Sequence, residues 1–297
     1  MKCKYRIVVS IDGGGIRGIV PLKILKTIQE LSLKFDPTLD ICSLVDIFSA
    51  SSTGSVIGGA LMLQDDQGKS LFTPSTLFDF YLKHGTDIFD TRHQFNIQDS
   101  SYSLPRLMDR YFGNITLEEV KKHFLYVSYD LNTDKQFLFT DTMSRLKNVS
   151  VSKMMQGCSA MPGICPPLEH ENSLLVDGML ATKNPSVLAY NYAKLLYPND
   201  PIVLVSLGTG KTDEEDYGTF EHDMKKVDDR LYIDAKNNEE LIYFRFQPTI
   251  SSASNDFENA STKIMVNLLE DTEHYIRNHE SKFNRLLSLI KIKAGNV

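Results

Sequence analysis

Nowhere does this chain approach the roughly 18 consecutive apolar residues that a membrane-spanning helix needs, so membrane contact is expected to be peripheral. It also lacks a dense Lys/Arg stripe with interleaved aromatics, and its formal net charge of −6 supplies no general attraction for nucleic acid. Nucleic acid is therefore not expected as a partner. The cysteines Cys3, Cys42, Cys158 and Cys165 contain no C-x-x-C pair, and no paired Cys/His spacing suits zinc. Reduced, buried thiols in a cytoplasmic protein are the expectation. Asp213-Glu214-Glu215-Asp216 lacks the spacing of a calcium loop and reads as a solvated loop. Neither metal nor cofactor is expected. Lys2, Lys4 and Arg6 resemble the start of a secretory signal, but Asp12 cuts the apolar run behind them, so no secretory core is expected. No Pro/Gly/Ser-rich linker and no internal repeat divides the 297 residues. One domain over 1–297 is the expectation, with a motif-bearing core at about 5–210 and a mainly helical part at about 255–290.

The apolar run Ile7-Val8-Val9-Ser10-Ile11 is followed by Asp12-Gly13-Gly14-Gly15-Ile16-Arg17-Gly18 and then by Leu22, Leu25, Ile28 and Leu31 at helical spacing. This order predicts a strand, a bare-backbone loop and a helix. Glycines let several N–H groups converge on one anion, and the helix start adds a favourable dipole. Two readings stay open for the loop itself. It suits an oxyanion hole, and Gly13, Gly15 and Gly18 also satisfy G-x-G-x-x-G, the dinucleotide-binding pattern. Arg17 is read either as positive charge near the loop or as an ion-pairing or helix-packing residue, and Asp12 as an organiser of the loop.

Leu44 to Ala50 predicts a second strand, and the helix behind it runs through Val56, Ile57 and Leu61. Ser52 falls at their junction, in Ala50-Ser51-Ser52-Thr53-Gly54. A serine on such a turn projects its hydroxyl above the sheet, and the first amide of the helix can meet an oxyanion. The usual G-x-S-x-G elbow has glycine where this chain has Ala50. Further on, Leu174-Leu175-Val176 predicts a short strand ending in Asp177-Gly178. Asp177 would serve as a base only if partly desolvated and in hydrogen-bond reach of the serine; by itself the pair reads as an Asp-Gly turn.

The order Asp12 to Gly18, Ala50 to Gly54, Asp177-Gly178 resembles the patatin-like phospholipases. Further similar pieces are Ser159-Ala160-Met161-Pro162 with Pro166-Pro167, then Asn184-Pro185, then Ser206-Leu207-Gly208-Thr209-Gly210. The resemblance implies a three-layer α/β/α sandwich with a mostly parallel central sheet and a helical cap. It implies a lipid acyl hydrolase that cleaves carboxylic esters of phospholipids or related acyl lipids through a Ser-Asp dyad. Ser52 would attack, Asp177 would take its proton, and Gly13, Gly14, Gly15, Ile16, Arg17 and Gly18 would form the oxyanion loop. Two positions depart from the family pattern: Ala50 at the elbow, and Met179 where Asp-Gly is usually followed by glycine or alanine. Some bacterial members are toxins or defence effectors switched on by a signal, which the resemblance allows for this chain without deciding it.

Strands alternating with helices predict parallel pairing and a site at the carboxyl ends of the strands. Residues 71–124 are expected to be mainly helical and to cap the site, with Thr116 and Glu119 as a helix capping box. Leu125 to Leu131 and Gln136 to Thr140 predict two strands around Asn132-Thr133-Asp134, and Pro201 to Leu207 another. Three rival functions are weighed. A Ser-Asp-His hydrolase would draw on His222, His274 or His279; a nucleotide-binding module would use the glycine loop; a lipid-binding protein would be catalytically silent.

Overall fold

The strand β1 (Arg6–Ile11) is apolar on both sides. Ile7, Val9 and Ile11 enter one hydrophobic cluster, and Val8 enters a second on the opposite face of the sheet. Burial on both faces is what a parallel strand covered by helices demands. The computed structural model describes residues 5–89, 103–113, 115–212, 220–250 and 259–295. Cys3, Lys2, Lys4 and the acidic run 213–216 lie outside them.

After β1 the chain forms α1 (Ile19–Leu33), the short α2 (Ile41–Leu44), β2 (Ile47–Ser51) and α3 (Thr53–Leu61). Then come α4 (Pro74–Phe89), α5 (Ser103–Phe112), the hairpin β3 (His123–Asp130) and β4 (Lys135–Thr140), and α6 (Val151–Ser159). A second hairpin, β5 (Leu168–His170) and β6 (Ser173–Asp177), precedes α7 (Ser186–Leu196) and β7 (Ile202–Leu207). The chain continues through α8 (Phe220–Asn237), β8 (Leu241–Phe246), α9 (Thr262–Asn278) and α10 (Glu280–Lys293).

All the strands join one eight-stranded sheet in the order β5-β6-β3-β2-β1-β7-β8, with β4 also paired to β3. The run β3-β2-β1-β7-β8 is parallel, whereas β4, β5 and β6 are antiparallel additions. Residues from α1, α3, α4, α5, α6, α9 and α10 pack into the cluster on one face. Those of α7 and α8 pack into the cluster on the other. The architecture is therefore the three-layer α/β/α sandwich with a mostly parallel sheet. The chain moves outward from β1 to β2 and β3, then returns to place β7 and β8 on the other side of β1. That reversal puts the switch point of the sheet between β1 and β7, the place at whose carboxyl ends such sheets bind ligands.

Two local expectations change. Thr116 and Glu119 do form capping-box bonds, from the Thr116 N–H and Oγ to Glu119 Oε2, each 2.7 Å. Yet they close a turn rather than open a helix. The neighbouring amides bond to another segment, Leu117 to the Val149 carbonyl at 2.8 Å and Glu118 to that of Lys147 at 3.1 Å, and β3 begins at His123, too few residues on for a helix to propagate. Helix over 71–124 is likewise confined to α4 and α5 within the described residues, and Phe124 already belongs to β3.

Candidate active site

Three parts of the chain meet at the carboxyl end of β2, and β3 aligns two of them. Its residues 125–130 pair with β4 along one edge. Residues 123–127 pair with β2 and residues 128–130 with β6; both overlap the β4 pairing, so both occupy the other edge. Ser51 lies opposite Val127 and Asp177 opposite Ser128. The end of β2 and the end of β6 therefore approach each other along a single strand. Ser128 secures the junction by donating its Oγ–H to the carbonyls of Gly157 at 2.7 Å and Val176 at 2.8 Å.

Ser52 links β2 to α3 with φ 51° and ψ −129°, a backbone region that L-residues with side chains seldom occupy. Its Oγ donates to Asp177 Oδ2 at 2.7 Å. The other carboxylate oxygen accepts the Met179 N–H at 2.8 Å. Asp177 is 1% exposed, and burial pushes its carboxyl up to about 6 against the opposing effect of those two bonds. Such a group is ionised near neutral pH and basic enough to take a proton from a bound hydroxyl. Ser51 is differently engaged, since its Oγ donates to the Thr182 carbonyl at 2.7 Å.

Close packing explains the small residues here. A Cβ on Gly54 would stand 2.4 Å from the Ile11 carbonyl oxygen, and one on Gly178 2.1 Å from that of Val127. Ala50 has no such conflict: it is an interior residue of β2, packed in the larger hydrophobic cluster. Met179, the other departure from the family pattern, is buried in the single 3-10 turn that follows Asp177.

The glycine loop leaves β1 beside the elbow. The Gly13 N–H donates to the Lys183 carbonyl at 3.0 Å, and the Arg17 N–H to the Gly14 carbonyl at 3.0 Å. Among the described residues, the N–H groups of Gly14, Gly15 and Ile16 have no backbone acceptor. Of the amides expected to serve an oxyanion, these three are the ones left to do so. Gly18 has a packing role, because a Cβ there would stand 2.7 Å from Thr53 Oγ. Arg17 is buried; it donates from Nε to the Thr209 carbonyl at 3.0 Å and from Nη2 to the Gly210 carbonyl. It thus ties the loop to the end of β7. Thr209 returns a bond from Oγ to the Gly13 carbonyl at 2.8 Å.

Several participants were not visible as such in the sequence. Tyr81 on α4 bonds through its OH with Thr53 Oγ at 2.6 Å and so fixes the residue after Ser52. Arg245 on β8 forms a bidentate pair with Asp12. The apolar and aromatic run in Leu241-Ile242-Tyr243-Phe244-Arg245-Phe246 was a usable strand signal, but nothing in it names Asp12 as the partner of Arg245.

Two of the three candidate histidines are engaged elsewhere. His274 Nε2 bonds Asn278 at 2.8 Å, and His279 Nδ1 bonds the Tyr275 carbonyl at 2.8 Å; the side chain of His222 lies outside the described residues. Cys42 and Cys158 are buried, and Cys165 is partly so. No group of His, Cys, Asp and Glu suited to a metal ion occurs among the described residues. No helix there is long and apolar enough to cross a membrane.

A serine hydroxyl on a strained strand-to-helix turn, bonded to a buried carboxylate and flanked by a glycine loop, thus sits at the carboxyl end of a mostly parallel sheet in an α/β/α fold. The chain belongs to the patatin-like phospholipase family, whose model matches residues 9–190. It is 27% identical to Patatin-16 of Solanum tuberosum over 238 residues, covering 70% of this chain and 61% of that protein. It is 28% identical to Patatin-17 of Solanum cardiophyllum over 241 residues, covering 70% and 61%. The chain thus spans about 61% of the length of these relatives. Among solved structures, VipD from Legionella pneumophila aligns over 93% of this chain and 67% of its own at 11% identity and a TM-score of 0.42. The type III effector protein ExoU aligns over 95% and 54% at 9% identity and a TM-score of 0.44.

Proposed function

We propose that this chain is a lipid acyl hydrolase of the phospholipase A or lysophospholipase type, cleaving carboxylic ester bonds of phospholipids or related acyl lipids. The observation that carries the reading is the 2.7 Å bond from Ser52 Oγ to Asp177 Oδ2, made to a carboxylate whose burial raises it to about 6. Asp177 accepts the Ser52 proton as Oγ bonds to the ester carbonyl carbon. The carbonyl oxygen takes the negative charge and is met by N–H groups of the glycine loop and the start of α3. Collapse breaks the ester C–O bond, and Asp177 returns its proton to the departing alcohol. Water then attacks the acyl-Ser52 ester, gives its proton to Asp177, and releases the fatty acid as Ser52 is reprotonated.

The single domain, the cytoplasmic location and the peripheral contact with a lipid surface belong to this reading. One continuous sheet supports the first. Activation by a signal, as in an effector, is a further part of it, consistent with the family alone. Incubation with a fluorophosphonate probe and mapping of the modified residue tests the nucleophile without needing the right lipid. An adduct on Ser52, lost in Ser52→Ala, is expected. An adduct on another serine, or ester turnover undiminished in folded Ser52→Ala, would overturn the proposal.

A further inference from the structure

Arg245 lies on the edge strand β8, outside the residues that match the family. In the sheet register it shares a row with Ser206 on β7 and Ser10 on β1. From that row its side chain crosses over β7 toward the loop. Nη1 donates to Ser206 Oγ at 2.8 Å and to Asp12 Oδ1 at 3.0 Å, and Nη2 donates to Asp12 Oδ2 at 2.6 Å. Asp12 is fully buried and Arg245 nearly so. A bidentate guanidinium-carboxylate pair fixes direction as well as distance, because both groups are planar. Asp12 is the residue immediately before Gly13, so that geometry is handed directly to the loop.

The same guanidinium has a second arm. Its Nε is 3.0 Å from Asp228 Oδ2 on α8. Asp228 Oδ1 accepts from Asn184 Nδ2 at 3.3 Å and from the Tyr243 OH at 2.6 Å. Asn184 belongs to the segment whose carbonyls hold the site together: that of Lys183 takes the Gly13 N–H, and that of Thr182 takes Ser51 Oγ–H. One buried cation therefore orients the start of the glycine loop through hydrogen bonds and faces, through an ion pair without a hydrogen bond at Nε, the carboxylate that holds the segment against which that loop and the elbow rest. From the other side, α10 secures β8 through Lys282 Nζ, which donates to the Arg245 carbonyl.

We propose that Arg245 is a positioning residue for the oxyanion loop, acting through Asp12 and, by way of Asp228, through residues 182–184. The inference rests on the acyl-hydrolase reading of the same site. Amides aimed at charge that develops in the transition state affect kcat more than substrate binding, and a displacement of about 1 Å there can cost about 10²-fold.

The test uses Arg245→Lys and Arg245→Gln in the full chain, assayed below their melting temperatures on a p-nitrophenyl ester and for the rate of fluorophosphonate labelling, beside Ser52→Ala. Arg245→Lys keeps the charge but not the fork. It is expected to be folded, with kcat lowered roughly tenfold, KM within about twofold, and labelling slowed in step. Arg245→Gln is expected to lose about 10²-fold in kcat. Wild-type kcat in either folded variant overturns the proposal. So does a loss carried by KM, or failure of both variants to fold, since Arg245 would then serve the fold at large. Turnover retained by Ser52→Ala would instead sink the hydrolase reading, whatever the Arg245 variants do.

Discussion

Ser128 and Asp177 lie opposite each other on β3 and β6, and this pairing sets the reach of the carboxylate. Had β6 paired further along β3, Asp177 would have missed the elbow, because each residue of slippage carries a side chain about 3.3 Å along the strand and onto the other face. The antiparallel hairpin β5-β6 thus delivers a carboxylate to the carboxyl end of a parallel sheet. Ser52 and Asp177 meet at 2.7 Å from positions 125 residues apart in sequence.

Ser52→Ala is expected to lower ester hydrolysis by at least ~10⁴-fold with its fold retained, since the attacking oxygen is removed and a small side chain remains at the strained turn. Ser51→Ala is expected to keep probe labelling at Ser52, because the Ser51 hydroxyl is spent on the Thr182 carbonyl. Steady-state assays with mass mapping of the adduct check both. Labelling at Ser51 in the wild type would reverse the assignment.

The acid limb of kcat/KM should fall near pH 6. Asp177 must be ionised to accept a proton, and its carboxyl lies at about 6. Activity therefore drops about tenfold per pH unit below that point and levels off above it. A pH profile of the wild type on an uncharged ester reads this directly; a limb centred near pH 4 would mean that the base is a solvated carboxylate.

Asp177→Asn should separate activity from stability. Catalysis falls by about 10²–10⁴-fold because the amide cannot take the proton. Stability moves the other way. The folded carboxyl at about 6 stands above the unfolded value, so folding favours the protonated form. The resulting penalty is absent below about pH 4, grows between pH 4 and 6, and is complete above pH 6, on the order of 3 kcal/mol. The uncharged amide of the variant would carry no such penalty, and its carbonyl oxygen could still accept the Met179 N–H. Thermal melts at pH 8 and pH 4.5 should show Asp177→Asn the more stable at pH 8, with the difference shrinking at pH 4.5. A lower melting temperature for the variant at pH 8 would contradict this.

Bulk in the glycine loop should act on turnover. A Cβ on Gly14 would stand 2.4 Å from Thr209 Oγ and 2.7 Å from Thr209 Cβ, so Gly14→Val must push the loop away from β7. A fall in kcat of roughly 10²-fold with little change in KM is expected, measured on protein whose melt confirms folding. Unchanged kcat in a folded variant would place the loop outside the reaction centre.

Chelation and histidine replacement should both be mild. The proposed dyad supplies nucleophile and base from protein atoms, so EDTA should leave the rate unchanged when lipid presentation is controlled. His274→Ala and His279→Ala should stay near wild type, because those rings bond Asn278 and the Tyr275 carbonyl. One dead but folded histidine variant would bring back the triad.

The sequence alone carried the local half of the site. Glycine runs, the Ser52 junction and the Asp177-Gly178 strand end are short-range signals, since each reports the backbone shape its own few residues must adopt. The alternating strand and helix pattern carried the parallel core for the same reason. Tertiary structure alone decided which amides of the loop remain available, because Gly13 is claimed by Lys183, a neighbour only after folding. It alone turned the Thr116-Glu119 box into a turn, because the chain is taken into β3 at His123 before a helix can propagate. It alone brought Arg245 to Asp12, 233 positions away. An ion pair across three strands follows from sheet order and register, and those are set by the packing of all the helices against both faces rather than by any residue's local preference.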